Sequence, residues 1–262
     1  MFFIFIINTQ WLQLINDVLI PIFVTVGLLL IIVFFQAVNV QIPLSFGKVR
    51  GQSYKWPLNF FYAGVIPVIF ISAILANVSL LAGVVQPDNP EDASAFRNFM
   101  SENVFGQYDP SGVPLSGMAL WLSQVNLLNP GTDLTSIYTY IQAFTYTILM
   151  VLGSTLFAHL WVQTAGMDPY SQAKQIVNSG LQIPGFRKDI RIIERLLERY
   201  IGPLTIMGGI GVGLLASFAD LFSALTQGTG LLLLVMIVFQ FYQQLNRESM
   251  EDFSLLRKFM RK

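Results

Sequence analysis

The chain has 262 residues, of which 54% are hydrophobic and only 11% charged, and it contains no cysteine. A water-soluble domain of this length carries charged residues at about twice that fraction, and without cysteine neither a disulfide framework nor a thiolate metal site is available. The formal charge sums to zero, with 15 basic and 15 acidic residues, so the placement of charge carries the information and its total does not.

Asp, Glu, Lys and Arg are absent from residues 18–41, 59–85, 136–166, 201–219 and 221–246. Each stretch holds a run close to the ~20 helical residues that cross a ~30 Å hydrocarbon core, whereas barrel strands alternate over segments of ~10 residues. The pattern predicts an all-α, polytopic membrane helix bundle. Its five transmembrane helices are expected over about 19–41, 59–85, 135–164, 202–222 and 225–243.

The opening MFFIFII is apolar, short, and without a basic leader or cleavage site, which fits an interfacial segment rather than a signal peptide. The first span starts at Pro21, where a missing amide costs least. Segment 42–58 is framed by Pro43 and Pro57 and contains Gly47 and Gly51, so a hairpin-like excursion is expected. In the second span, Pro67 predicts a kink or unwound turn, and Asn77 should face protein or a watery cavity. The Asn77-Val78-Ser79 sequon lies inside this span and is discounted.

Segment 86–134 is the one place for an ordinary soluble subdomain. Pro90, Glu91 and Asp92 suit the first turn of a short helix in PEDASAFRNFM, and GMALWLSQVNLL is expected at the membrane surface. The third span is long enough to tilt. Its His159 is the only histidine and has no carboxylate or second ligand in any span interior, so a hydrogen-bonded structural role is expected.

In segment 165–201, Pro184-Gly185 marks a turn, and eight charges then fall between Arg187 and Arg199. Ile192, Ile193, Leu196, Leu197 and Tyr200 share one helical face, while Arg191 can pair with Glu194 and Arg195 with Glu198. This charged arm should feed directly into the fourth span through Gly202 and Pro203. Gly209 and Gly213 form a GxxxG pair that would admit a close neighbour. The rival reading of GGIGVG, a phosphate-cradling loop, lacks both the spacing and a following lysine. Asp220 is expected to reach the outer interface. The fifth span is short and apolar nearly all round until Gln240, Gln243 and Gln244, the last of which begins the tail 244–262.

Fourteen of the 15 basic residues lie in segments 42–58, 165–201 and the tail, whereas 86–134 has only Arg97 among several acids. Five spans put the three basic segments on one side, which the positive-inside rule makes the cytoplasm. The N-terminus is then outside and the C-terminus inside, at the cell membrane. A chain that begins outside the membrane suggests a fragment or one half of a larger protein. Nothing in the sequence resembles a nucleophile elbow, paired acids or a metal motif, so no enzyme activity and no cofactor are expected.

VQIPLSFGKVRG, NFFYAGVIPVIFISAILANVSL, WVQTAGMDP, PGFRK, ERYIGPLT and GTGLLLL, in that order, resemble the C-terminal half of the SecY family, the channel-forming subunits of the Sec protein translocon. The GFRK tip and acidic outer segment are more similar to the archaeal and eukaryotic branch. The resemblance covers the chain from about Leu19 onward. It implies the sixth to tenth spans of a ten-span channel, one inverted-repeat half of the fold, which explains the odd span number.

By the same resemblance, Ile66, Ile69 and Leu233 match the apolar pore ring and Asn77 a polar position at the lateral gate. Lys48 and Arg50 on one cytoplasmic prong, with Arg187 and Lys188 on the other, match positions that dock the ribosome. The implied partners are the N-terminal half, SecE, a small beta or SecG-type subunit, the ribosome, signal peptides, nascent chains and membrane lipids. The alternative is one inverted repeat of a small-solute secondary transporter, which would need ion ligands at mid-membrane.

Overall fold

The computed structural model describes residues 18–46, 53–86, 94–107, 109, 114–128, 132, 135–182 and 189–259. Five helices in it are long and apolar enough to cross a membrane. They are α1 (Ile20–Ala37), α2 (Ile66–Val85), α5 (Ile137–Thr164), α7 (Ile190–Leu221) and α8 (Gly228–Phe259). Short helices α3 (Ala95–Phe99) and α4 (Gly117–Leu122) lie between α2 and α5, and α6 (Pro169–Asn178) precedes α7.

The hairpin forms. Strand β1 (Asn39–Phe46) pairs antiparallel with β2 (Ser53–Asn59) from Asn39 opposite Asn59 to Ser45 opposite Ser53. Ile42, Leu44 and Leu58 point into the core while Gln41, Pro43 and Lys55 face outward, the period-two pattern of a half-buried sheet. A third strand that the sequence did not announce, β3 (Leu181–Gln182), pairs with Phe46 and Ser45. It stops there, so β1 is an edge at Pro43, and the missing amide breaks no ladder bond on that side.

α7 is the axis of the bundle. It runs unbroken for 32 residues, with Pro203 inside it, so the charged arm and the fourth span are one helix. Its first half buries Ile193, Leu197 and Ile201 against Ile42, Leu44, Leu58, Ala173, Ile176 and Leu181, which roots the sheet and α6 in one core. Asp189 caps its start by accepting the Arg191 amide at 2.9 Å. Among the described residues no ion pair joins Arg191 to Glu194 or Arg195 to Glu198. The arm is held by its apolar face, and its basic side chains stay exposed.

The second half of α7 packs along α5. Gly209 and Gly213 face Ser154, Thr155, Val151 and Met150 so closely that a β-carbon at either position would collide with α5. The Ser154 hydroxyl, fully buried, donates to the Gly209 carbonyl at 2.8 Å, a contact that only small residues allow in a membrane helix pair. Gly153, on another face of α5, receives Ile71 of α2. A second core cluster then joins Val68, Ile71 and Leu75 to Tyr146, Met150, Val212, Ala216, Leu232 and Val235.

One expectation fails. Pro67 sits in the first turn of α2, not in its middle. It therefore breaks no helical bond and produces no kink; residues 60–65 are irregular, and the helix starts later than the charge-free stretch does. Asp220 is the penultimate residue of α7, and it is covered by protein. It is 8% exposed, accepting from the Tyr146 hydroxyl at 2.8 Å and from the Gly228 amide at 2.8 Å.

Candidate functional site

α1, α2 and α8 line the open side of the bundle. α1 buries only Pro21, Ile32 and Gln36. Phe23, Leu30 and Phe34 are among its large apolar side chains left bare. α2 buries a narrow stripe, Pro67, Val68, Ile71, Leu75 and Ala82, because α5 meets it along one face. The remainder, including Ile69, Phe70, Ile74, Leu80 and Leu81, is uncovered. α8 buries Leu231, Leu232, Val235 and Met236 and exposes Leu233, Leu234, Ile237 and Val238. A membrane span with so much bare apolar surface suits lipid or further helices, not water.

Ile66 opens α2 and is partly buried, Ile69 is 37% exposed one turn later, and Leu233 on α8 is 38% exposed. α2 and α8 touch through their buried stripes, which share one core cluster. Asn77 is exposed on α2, and its amide donates to the Ala73 carbonyl of its own helix at 2.8 Å. Its hydrogen bonding is thus met locally and leaves its outer surface polar. Lys48, Arg50, Arg187 and Lys188 lie outside the described residues.

His159 is exposed on α5 and is hydrogen-bonded to Gln163 at 3.0 Å. No group of three metal-binding side chains occurs among the described residues. At the sheet end, Tyr62 donates its hydroxyl to the Met167 carbonyl at 2.7 Å, tying the chain entering α2 to the chain leaving α5. Burial, and then the Asp168 carboxylate, push the Tyr62 phenol up to about 12, so it remains a donor at any physiological pH.

The sequence reading did not find the ties at the opposite end. Arg97, just after the N-cap Ser94 of α3, donates to three carbonyls at the end of α2: from Nε to Val85 at 3.0 Å and from its terminal nitrogen to Val84 at 3.0 Å and Gln86 at 3.1 Å. Gln142 of α5 donates to Leu120 at 2.7 Å and to Ser123 at 3.1 Å. The Leu127 amide donates to the Leu221 carbonyl at 2.9 Å. Only the oddity of one base in an acidic segment could have drawn attention to Arg97, since its partners are backbone atoms.

Five helices long and apolar enough to cross a membrane, each leaving large apolar side chains bare, define a multi-pass membrane protein. The SecY family model matches residues 2–242, and the chain belongs to the SecY family. It is 36% identical over 236 residues to the protein translocase subunit SecY of Methanococcus vannielii, covering 90% of this chain and 50% of that protein. A solved protein-conducting channel superposes with TM-score 0.68 at 35% identity, over 93% of this chain and 53% of that one. Canine Sec61, solved in a ribosome-channel complex from the endoplasmic reticulum, superposes with TM-score 0.64 at 35% identity, again over 93% and 53%. The chain thus spans about half the length of the relatives it matches. The small-solute transporter alternative finds no support among them.

Proposed function

We propose that this chain forms the C-terminal half of the wall of a protein-conducting channel. The channel passes secretory polypeptides across the cytoplasmic membrane and inserts membrane proteins into it. The observation that carries this reading is the half-bundle itself: nearly all of the chain superposes on half of a protein-conducting channel at 35% identity, and its uncovered faces are apolar helices. The bare faces of α1, α2 and α8 are completed by the N-terminal half, with SecE and a small beta or SecG-type subunit outside.

The sheet end is the cytoplasmic end, because the basic segments flank it, and the chain starts outside and ends inside. β3 pairs with β1 at Ser45 and Phe46, which supports reading Lys48, Arg50, Arg187 and Lys188, next along the chain from these strands, as one docking surface for ribosomal phosphate. Ile66, Ile69 and Leu233 contribute to an apolar constriction that excludes ions by dewetting and offers a passing chain no fixed partner. Asn77 gives the gate edge a polar point where signal peptides pass toward lipid. The chain performs no chemistry and needs no cofactor.

The test is conductance. In a channel reassembled with the complementary half and SecE, Ile66→Asn with Ile69→Asn should raise resting ion leak in planar bilayers. An unchanged leak would mean that these isoleucines are ordinary packing residues.

A further inference from the structure

The end of a helix leaves carbonyls without intrahelical donors, and in a span those carbonyls are capped by the protein or by interfacial water. At the outer end of α2 one guanidinium takes three of them, Val84, Val85 and Gln86. Arg97 is exposed, yet a planar fork bonded to neighbouring carbonyls has one orientation, so it fixes α3 against the end of α2. The described residues beyond α3 then fold back on themselves. Gly106 and Gly117, at φ +95° and +69°, cross with each one's backbone where the other's β-carbon would be. Leu115 donates to Gln107 at 2.7 Å, and the Gln107 amide to the Ser116 hydroxyl at 3.1 Å. From the crossing α4 runs to Gln142, whose amide grips its last turn from α5.

We propose that residues 94–107 and 114–123, joined where Gly106 crosses Gly117, form a strap whose two ends are fixed by Arg97 on α2 and Gln142 on α5, so that the two helices form one panel. The same pair is joined at the sheet end by the Tyr62 hydroxyl on Met167, and at mid-height by Ile71 seated against Gly153. Three fastenings along the length leave no pivot about which α2 can swing from α5. Arg97 and Gln142 are positioning residues, acting only through the helix ends they hold. The functional side of the inference, that the panel moves as a unit when the complete channel opens, rests on the channel reading above.

The cysteine-free sequence makes the test direct. Nitroxides are placed by Val84→Cys and Tyr138→Cys, at exposed outer-end positions of α2 and α5, in the complete channel. A second pair, Leu152→Cys with Met207→Cys, reports α5 against α7. Pulsed dipolar spectroscopy should give a single narrow 84–138 distance that signal-peptide substrate leaves unchanged. Arg97→Gln should add a longer-distance population, Gln142→Leu should do the same, and Arg97→Lys should do so less, because an ammonium cannot make the forked contact. The 152–207 distance should stay fixed in every variant, which shows that the bundle is intact.

A single 84–138 distance in both Arg97→Gln and Gln142→Leu would overturn the strap. Widening of the 84–138 distance on substrate binding in the unsubstituted channel would overturn the panel. Neither result depends on ion leak through Ile66 and Ile69, so failure here and failure of the channel reading are separately visible.

Discussion

Gly213 is where the bundle tolerates least. Its missing side chain lets α7 lie on the backbone of Met150 and Val151 and beside the Ser154 hydroxyl, and Gly209 one turn earlier does the same against Thr155 and Ala158. Gly213→Leu would drive the helices apart along their longest interface, and overpacking of this kind costs about 1–3 kcal/mol or more. The purified complex should lose thermal stability in detergent, whereas Gly202→Leu, in open space on the same helix, should leave the melting temperature unchanged. Equal effects would show that the close approach is not a stabilising contact. The GxxxG spacing was plain in the sequence because its signal is local. Asp220 was not, because both of its partners had to be known: Tyr146 lies 74 residues away, and the Gly228 amide belongs to the next helix. A carboxylate at the end of a charge-free run gives no sign, in sequence, of the groups that bury it.

At the scale of elements, the charged arm and the sheet behave as one unit. Ile193, Leu197 and Ile201 of α7, Ile42, Leu44 and Leu58 of the hairpin, and Leu181 of β3 share a core outside the transmembrane cluster. The arm therefore presents its basic side as a rigid surface. Reversing Arg187 and Lys188 to Glu in the complete channel should weaken ribosome binding, and steeply so at low salt, because phosphate contacts carry the salt dependence. Membrane insertion should remain normal. Unchanged affinity in a sedimentation assay would remove these two residues from the docking surface. The hairpin was legible from Pro43, Gly47, Gly51 and Pro57 and the arm from its 3.6-residue period, since each pattern repeats within a few residues. β3 was not, because two residues carry no periodicity. Pro67 misled because its position within a charge-free stretch says nothing of where helix begins; the irregular turn at 60–65 decided that.

For the whole molecule, the imbalance of burial governs behaviour. α7 is 56% buried within its most apolar window, whereas α1 and α2 are each 22% buried. The chain should consequently be stable only when its bare side is covered. Expressed with the complementary half and SecE it should migrate as one monodisperse complex; expressed alone it should be degraded or associate irregularly in detergent. A monodisperse, long-lived single chain would contradict the reading of α1 and α2 as a mating surface. The five spans were visible in advance because charge avoidance is a property of long stretches. The face each one turns outward was not, since a helix that is apolar all round gives no hint of which side has a neighbour.

α7 also has a mechanical meaning. Thirty-two residues at 1.5 Å each make a rod of about 48 Å, well beyond the ~30 Å oily slab it crosses. Its base is gripped by a cluster of leucines and isoleucines, and its summit is pinned by a phenol and a neighbouring amide. Torque applied to the charged shaft by a bound particle many times its mass would therefore travel to the opposite leaflet along one continuous helix.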